Sequence, residues 1–201
     1  MSQKIDFNEV YREFHPKIVP YLSRLAGPDE AEDIAQEAFE KISKSFGEFR
    51  GESKLSTWIY RIATNTAIDR LRSAAYKHAS VQRDLEDADS PEVQSDWAVH
   101  KPPPSDRTVI RKEMSECVIE FIDNLPEDYR TVIVLSELES FANKEIADIL
   151  NISLENAKAR LHRARAKLKE MLNEGCEFYR NEENVLACDR KPSQILPKTP
   201  E

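Results

Sequence analysis

Residues 151–169, NISLENAKARLHRARAKLK, carry six Lys or Arg side chains and one His, and no acid interrupts 156–169. Cations concentrated in this way suit phosphate oxygens and the acceptor edges of bases. Two further groups can do chemistry. Glu30, Asp33, Glu37 and Glu40 form a carboxylate cluster, and Phe46, Phe49, Trp58 and Tyr60 are interleaved with Arg50, Lys54, Arg61, Arg70 and Arg72. Clustered carboxylates can hold metals, but dinuclear sites of that kind pair them with His, and none accompanies these. A solvated or protein-binding face is the better reading. Aromatic faces among cations instead suit single-stranded nucleic acid, with bases stacking on rings and charges holding the backbone. The loop FRGESK, residues 49–54, is polar, contains Gly51 and lies between two helices, so direct contact is expected there. Trp58, Ile59 and Ile62 equally admit a core role.

The elements that must position these groups read as helices. Leu154, Ala157, Leu161, Ala164, Leu168 and Met171 recur at steps of three and four, so one stripe of a helix packs inward. Lys158, His162, Arg165 and Lys169 then occupy another face. Just before it, NKEIADIL (143–150) forms a short helix with Ile146, Ala147, Ile149 and Leu150 inward, and Asn151-Ile152-Ser153 supplies a turn and a Ser cap. The pair reads as a helix-turn-helix whose second helix recognises DNA. In 29–45, Ala31, Ile34, Ala35, Ala38, Phe39 and Ile42 form a full apolar stripe opposite the acids.

Further helices are expected at 7–25, 53–72, 113–123 and 126–138, with Gly27-Pro28 breaking the first pair. Between them, 76–112 is acidic and ends in Pro102-Pro103-Pro104, the composition of a linker. Residues 173–201 read as a loosely ordered tail. The expected fold class is all-α: two small helical domains, 1–75 and 113–172, joined by a flexible linker.

The chain has 201 residues and a formal net charge of −8, so nucleic-acid binding requires local concentration of basic groups. No apolar run approaches the roughly 20 residues needed to span a bilayer, and the first residues lack a signal-peptide core; a cytoplasmic protein is expected. Three cysteines, Cys117, Cys176 and Cys188, are too few and too irregular for a disulfide framework. Zinc wants four ligands, and the nearest His is His162, so free thiols, no metal and no cofactor are expected.

Two motif blocks in order, AEDIAQEAFEKI with FGEFRGESKLSTWIYRIATNTAIDRLR, then LPEDYRTVIVLSELE with KEIADILNISLENAKARLHRARAKL, resemble a bacterial sigma factor of the extracytoplasmic-function (ECF) group. The resemblance spans nearly all of residues 6–172. It implies a non-enzymatic subunit that binds core RNA polymerase, directs it to promoter DNA and nucleates melting. The first block would be region 2, docking on polymerase through Asp33, Ile34, Gln36, Glu37, Phe39 and Glu40. The same region would read the −10 element through Phe49, Arg50, Lys54, Trp58 and Arg61, with Asn65 lining a pocket for a flipped base. The second block would be region 4, reading the −35 element through Lys158, Arg160, His162 and Arg163, with Arg165 on phosphate. Six acids of the linker would mimic phosphates inside polymerase. An anti-sigma factor is left open as a further partner. A free-standing helix-turn-helix regulator is the alternative, but it gives the first domain and the linker no purpose.

Overall fold

The protein is described by a computed structural model over residues 6–81, 106–180 and 184–191. Helices are α1 (Phe7–Ala26), α2 (Pro28–Ser45), α3 (Leu55–Val81), α4 (Asp106–Asp123), α5 (Glu127–Ile133), α6 (Asn143–Leu150) and α7 (Leu154–Gly175). A 3₁₀ turn, Phe46–Glu48, precedes α3, and a wider π turn, Val134–Leu138, continues α5. Strands β1 (Cys176–Arg180) and β2 (Leu186–Arg190) follow α7. The chain divides into two compact units, Met1–Asp84 with Pro126–Ala164, and Leu85–Leu125 with Arg165–Glu201.

In the first unit, Asp6 caps α1 by accepting the Asn8 backbone N–H at 3.2 Å, satisfying a donor that has no partner within the helix. Pro16 and Pro20 interrupt the backbone ladder inside α1, but both are exposed, so water can reach the carbonyls they leave unpaired. The helix stops at Gly27, whose φ of 93° lies in the region that favours glycine, and Pro28 opens α2 with a φ already suited to a helix. Val10, Phe14, Ile18, Tyr21, Leu22 and Leu25 of α1 pack with the expected stripe of α2 and with Ile59, Tyr60, Ala63 and Ala67 of α3.

One polar pair crosses this core. Thr64 donates its hydroxyl to the Tyr60 carbonyl at 2.6 Å, which leaves Tyr21 to donate to Thr64 Oγ1 at 2.7 Å. Burial pushes the Tyr21 phenol well above its usual range, so it stays a neutral donor.

The second unit holds α4, the end of α7 and a two-stranded antiparallel hairpin in which Cys176 faces Arg190 and Phe178 faces Cys188. Here the expectation of a loose tail is corrected for Cys176–Arg180 and Leu186–Arg190. Its signal was weak because β1 buries only Cys176 and leaves four residues exposed, so the alternation that marks a half-buried strand is missing. The expected linker also shortens at both ends, since α3 runs on to Val81 and α4 begins at Asp106. Its acids, Asp84, Glu86, Asp87, Asp89, Glu92 and Asp96, lie outside the described residues.

Ile34 is fully buried on α2. Ile34→Ala should therefore lower stability by about 2–5 kcal/mol through lost burial and a residual cavity, read as a fall in the urea midpoint.

Candidate nucleic-acid interface

The helix-turn-helix is built as its residues dictate. Ile146, Ala147 and Ile149 of α6 are buried and Leu150 is half-buried. Asn151 takes the left-handed conformation, φ 52° and ψ 47°, which Asn tolerates better than most residues. The Ile152 N–H then returns to the Ala147 carbonyl at 3.0 Å. Ser153 Oγ accepts the Asn156 N–H at 3.1 Å and caps α7. Ala157, Leu161 and Ala164 are buried along one stripe of α7, while Lys158, His162, Arg163 and Arg165 are exposed.

Arg160 differs from these, being half-buried and held by Asp128 of α5 at 3.0 Å. Arg163 lays its Nε against the Ala159 carbonyl of its own helix at 3.3 Å, with its side chain in solvent.

The second group surrounds the loop before α3. A cavity of about 690 Å³ is lined by Gly47, Glu48, Phe49, Arg50, Glu52, Ser53, Trp58 and Arg61, a size that admits a nucleotide. Phe49 and Trp58 lie with ring centroids 5.3 Å apart, both half-buried, and Arg50 is exposed. Gly51 turns the loop with φ 74°, where a β-carbon would be strained. Four of the expected residues thus converge, and Gly47, Glu48, Glu52 and Ser53 join them. Glu52 and Ser53 belong to the FRGESK loop singled out from sequence; Gly47 and Glu48 had no comparable signal.

Two expected residues stand apart from this cavity. Asn65 is exposed on α3, one turn beyond Arg61, and is not part of the lining among the described residues. Lys54 instead pairs with Glu145 of α6 at 2.9 Å. The same seam contains a contact that sequence reasoning missed: the Tyr60 hydroxyl donates to Glu139 at 2.6 Å, and the Tyr60 ring meets Phe141 at 4.7 Å, edge-on. Partners 79 residues apart leave no local trace in the sequence.

On α2, Asp33, Gln36 and Glu40 are exposed and Glu37 is half-buried. Glu37 pairs with Lys41 at 2.9 Å, and Glu40 with Lys44 at 3.6 Å. Ile34 and Phe39, expected among the polymerase contacts, are 0% and 3% exposed and pack in the core of the first unit. A side chain used up by its own core has no surface to offer a partner.

Residues 10–76 match the family described as Sigma-70 region 2, and residues 115–168 match Sigma-70, region 4. The chain is 31% identical over 171 residues to the ECF RNA polymerase sigma-E factor of Haemophilus influenzae, covering 85% of this chain and 89% of that protein. It is 37% identical over 176 residues to the ECF RNA polymerase sigma factor SigW of Bacillus subtilis (strain 168), with 84% and 88% covered. The fold is similar to that of the sigma factor RpoE of Bartonella quintana, solved with the anti-sigma factor NepR: TM-score 0.62, 20% identity, covering 84% of this chain and 97% of that one. CnrH, solved with the cytosolic domain of CnrY, gives a TM-score of 0.55 at 19% identity, with 83% and 87% covered.

Two sigma regions in this order define a promoter-specificity subunit. The chain belongs to the ECF sigma factors, which direct RNA polymerase to promoters. Among the described residues no helix is long and apolar enough to cross a membrane.

The Glu145 carboxylate is held below its usual range, first by Lys54 and then by the Ala142 N–H, which it accepts at 2.9 Å. A depressed folded pKa stabilises the fold above the unfolded value of about 4.5, and this contribution is lost as pH falls through the folded pKa. Glu145→Gln should therefore flatten the acid side of the stability profile below about pH 5, measured by urea titration at stepped pH.

Proposed function

We propose that this chain initiates transcription by presenting three surfaces to polymerase and promoter. The exposed polar face of α2, Asp33, Gln36, Glu37 and Glu40, binds core polymerase. The exposed cations of α7 enter the major groove of the −35 element, with Lys158, His162 and Arg163 on bases and Arg165 on phosphate. Arg160 joins them by exchanging Asp128 for DNA; a partly exposed ion pair is worth only about 0–1 kcal/mol, so the exchange costs little. The Phe49–Trp58 cavity, with Arg50 and Arg61, receives an unpaired base of the −10 element. Lys54 swaps Glu145 for a phosphate, and Asn65, whose amide both donates and accepts, reads a base edge beside the cavity.

The observation that carries this reading is an aromatic and arginine-lined cavity within the region 2 match, on the same chain as an exposed basic helix within the region 4 match. Magnitudes define the division of labour. Opening DNA costs roughly 1.4 kcal/mol per base-pair step, and a stacked base returns roughly 1–3 kcal/mol. One or two captured bases nucleate a bubble, and polymerase contacts must complete it.

The chain has no catalytic role of its own in this scheme and works in the cytoplasm, where polymerase and promoter are. An anti-sigma factor is a further proposed partner, supported by the fold's likeness to a sigma factor solved with such a protein. A free-standing regulator would leave the region 2 match unused.

Transcription from a randomised promoter library by core polymerase, with and without this chain, tests the reading. Templates sharing two spaced elements should be enriched; tight duplex binding without initiation would sink it. Arg163→Ala should reduce promoter-specific initiation by about tenfold, as expected for a base contact worth roughly 1–3 kcal/mol, with a smaller loss of nonspecific binding. For Asn65→Ala, closed complexes should form normally while permanganate reactivity of bubble thymines falls.

A further inference from the structure

The second unit gathers the chain's cysteines, although they are far apart in sequence. Cys117 lies on α4, Cys176 opens β1 and Cys188 lies in β2. Their three sulfur atoms all lie within 4.8 Å of one another, with Cys117 and Cys176 at 4.0 Å. The strand register explains the convergence. Cys176 faces Arg190, and Cys188 is two residues before Arg190, so all three project from one face of the hairpin. That face meets α4, where Arg190 pairs with Glu120 and covers the Phe121 ring, its guanidinium 5.7 Å from the centroid. Glu120 and Phe121 follow Cys117 by three and four residues, so one helix face receives the arginine and the thiols together.

We propose that Cys117, Cys176 and Cys188 form a binding site for a thiophilic divalent cation, with zinc as the natural probe. With Zn–S bonds of about 2.3 Å, tetrahedral ligation spaces sulfurs about 3.8 Å apart, close to the 4.0 Å between Cys117 and Cys176. Three thiolates and a dication leave one negative charge, and Arg190, on the same face of the hairpin opposite Cys176, balances it. Asp189 lies on the other face of β2, where its carboxylate accepts from Tyr179 at 3.4 Å. The fourth position is therefore left to water or an exogenous ligand.

The hairpin also needs such a staple. Two strands of five residues are marginal in water without further packing, and Phe178, Tyr179 and Leu186 are exposed rather than packed. A metal that bridges both strands to α4 supplies the missing cohesion, because binding free energy at such a site becomes folding free energy. Metal ligation needs thiolates, so the cation displaces thiol protons and should bind more tightly as pH rises.

The test uses the full chain, reduced with a phosphine and dialysed against zinc or cobalt. Elemental analysis should give one cation per chain, with a thiolate-to-cobalt charge-transfer band in the near ultraviolet. Cys188→Ser should abolish the band, while Glu120→Gln, which keeps all thiols, should retain it. At zinc about ten times Kd, amide exchange in β1 and β2 should slow about tenfold. Substoichiometric metal with all three thiols still titratable would overturn the proposal, as would a disulfide forming in preference to metal binding. Neither result bears on promoter recognition, which is read by transcription.

Discussion

Helix α3 must satisfy two neighbourhoods at once, and the buried Tyr21–Thr64–Tyr60 chain is what holds it in register. Tyr21 donates to Thr64, Thr64 donates back to the Tyr60 carbonyl, and the Tyr21 and Tyr60 rings lie 4.9 Å apart. Each polar atom would cost on the order of 1–3 kcal/mol if buried without a partner, so sliding or rotating α3 by one residue is penalised. With α3 so held, Trp58 and Arg61 face the cavity and Tyr60 reaches Glu139. The base-capturing geometry proposed here therefore depends on a contact made entirely inside the core.

An acidic chain can approach DNA only if its charge is segregated, and the structure shows how this is done. Acids on α2 lie opposite the apolar stripe and are partly neutralised by Lys41, Lys44 and Arg70. On α7, Arg160 pairs with Asp128 and Lys167 with Glu170. Lys54–Glu145 and Arg160–Asp128 tie the cations proposed to face DNA to the protein by partly exposed pairs, which are weak enough for phosphate to displace. Tyr60–Glu139 is different in kind: the phenol is desolvated and burial pushes its pKa far up, so the hydrogen bond persists at any physiological pH.

The second unit rests on other physics. Its hairpin has little apolar burial, and it is tied to α4 by the Arg190–Glu120 ion pair, a cation–π contact and three converging sulfurs. Soft ligands gathered on a small, poorly packed element are a common substitute for a hydrophobic core.

Much of this protein was legible in the order of its residues. The apolar stripes of α2 and α7, the Asn151-Ile152-Ser153 turn with its Ser cap, and the Gly27-Pro28 break all emerge as expected, because each is decided within one or two helical turns. The FRGESK loop was legible for the same reason. What local sequence did not contain was any relation between distant segments. The stripe of α2 marks Ile34 and Phe39 as inward-facing, but not that α1 and α3 are the helices that cover them, and Asn65 lies outside the cavity lining. Cys117, Cys176 and Cys188 have no motif spacing, and only the antiparallel register of β1 and β2 over α4 brings their sulfurs together. Periodicity and capping are short-range consequences of backbone geometry, so sequence by itself determined the helices and the basic face. Burial, ion-pair partners and the thiol cluster are long-range, so only the tertiary structure decided which side chains remain available for binding.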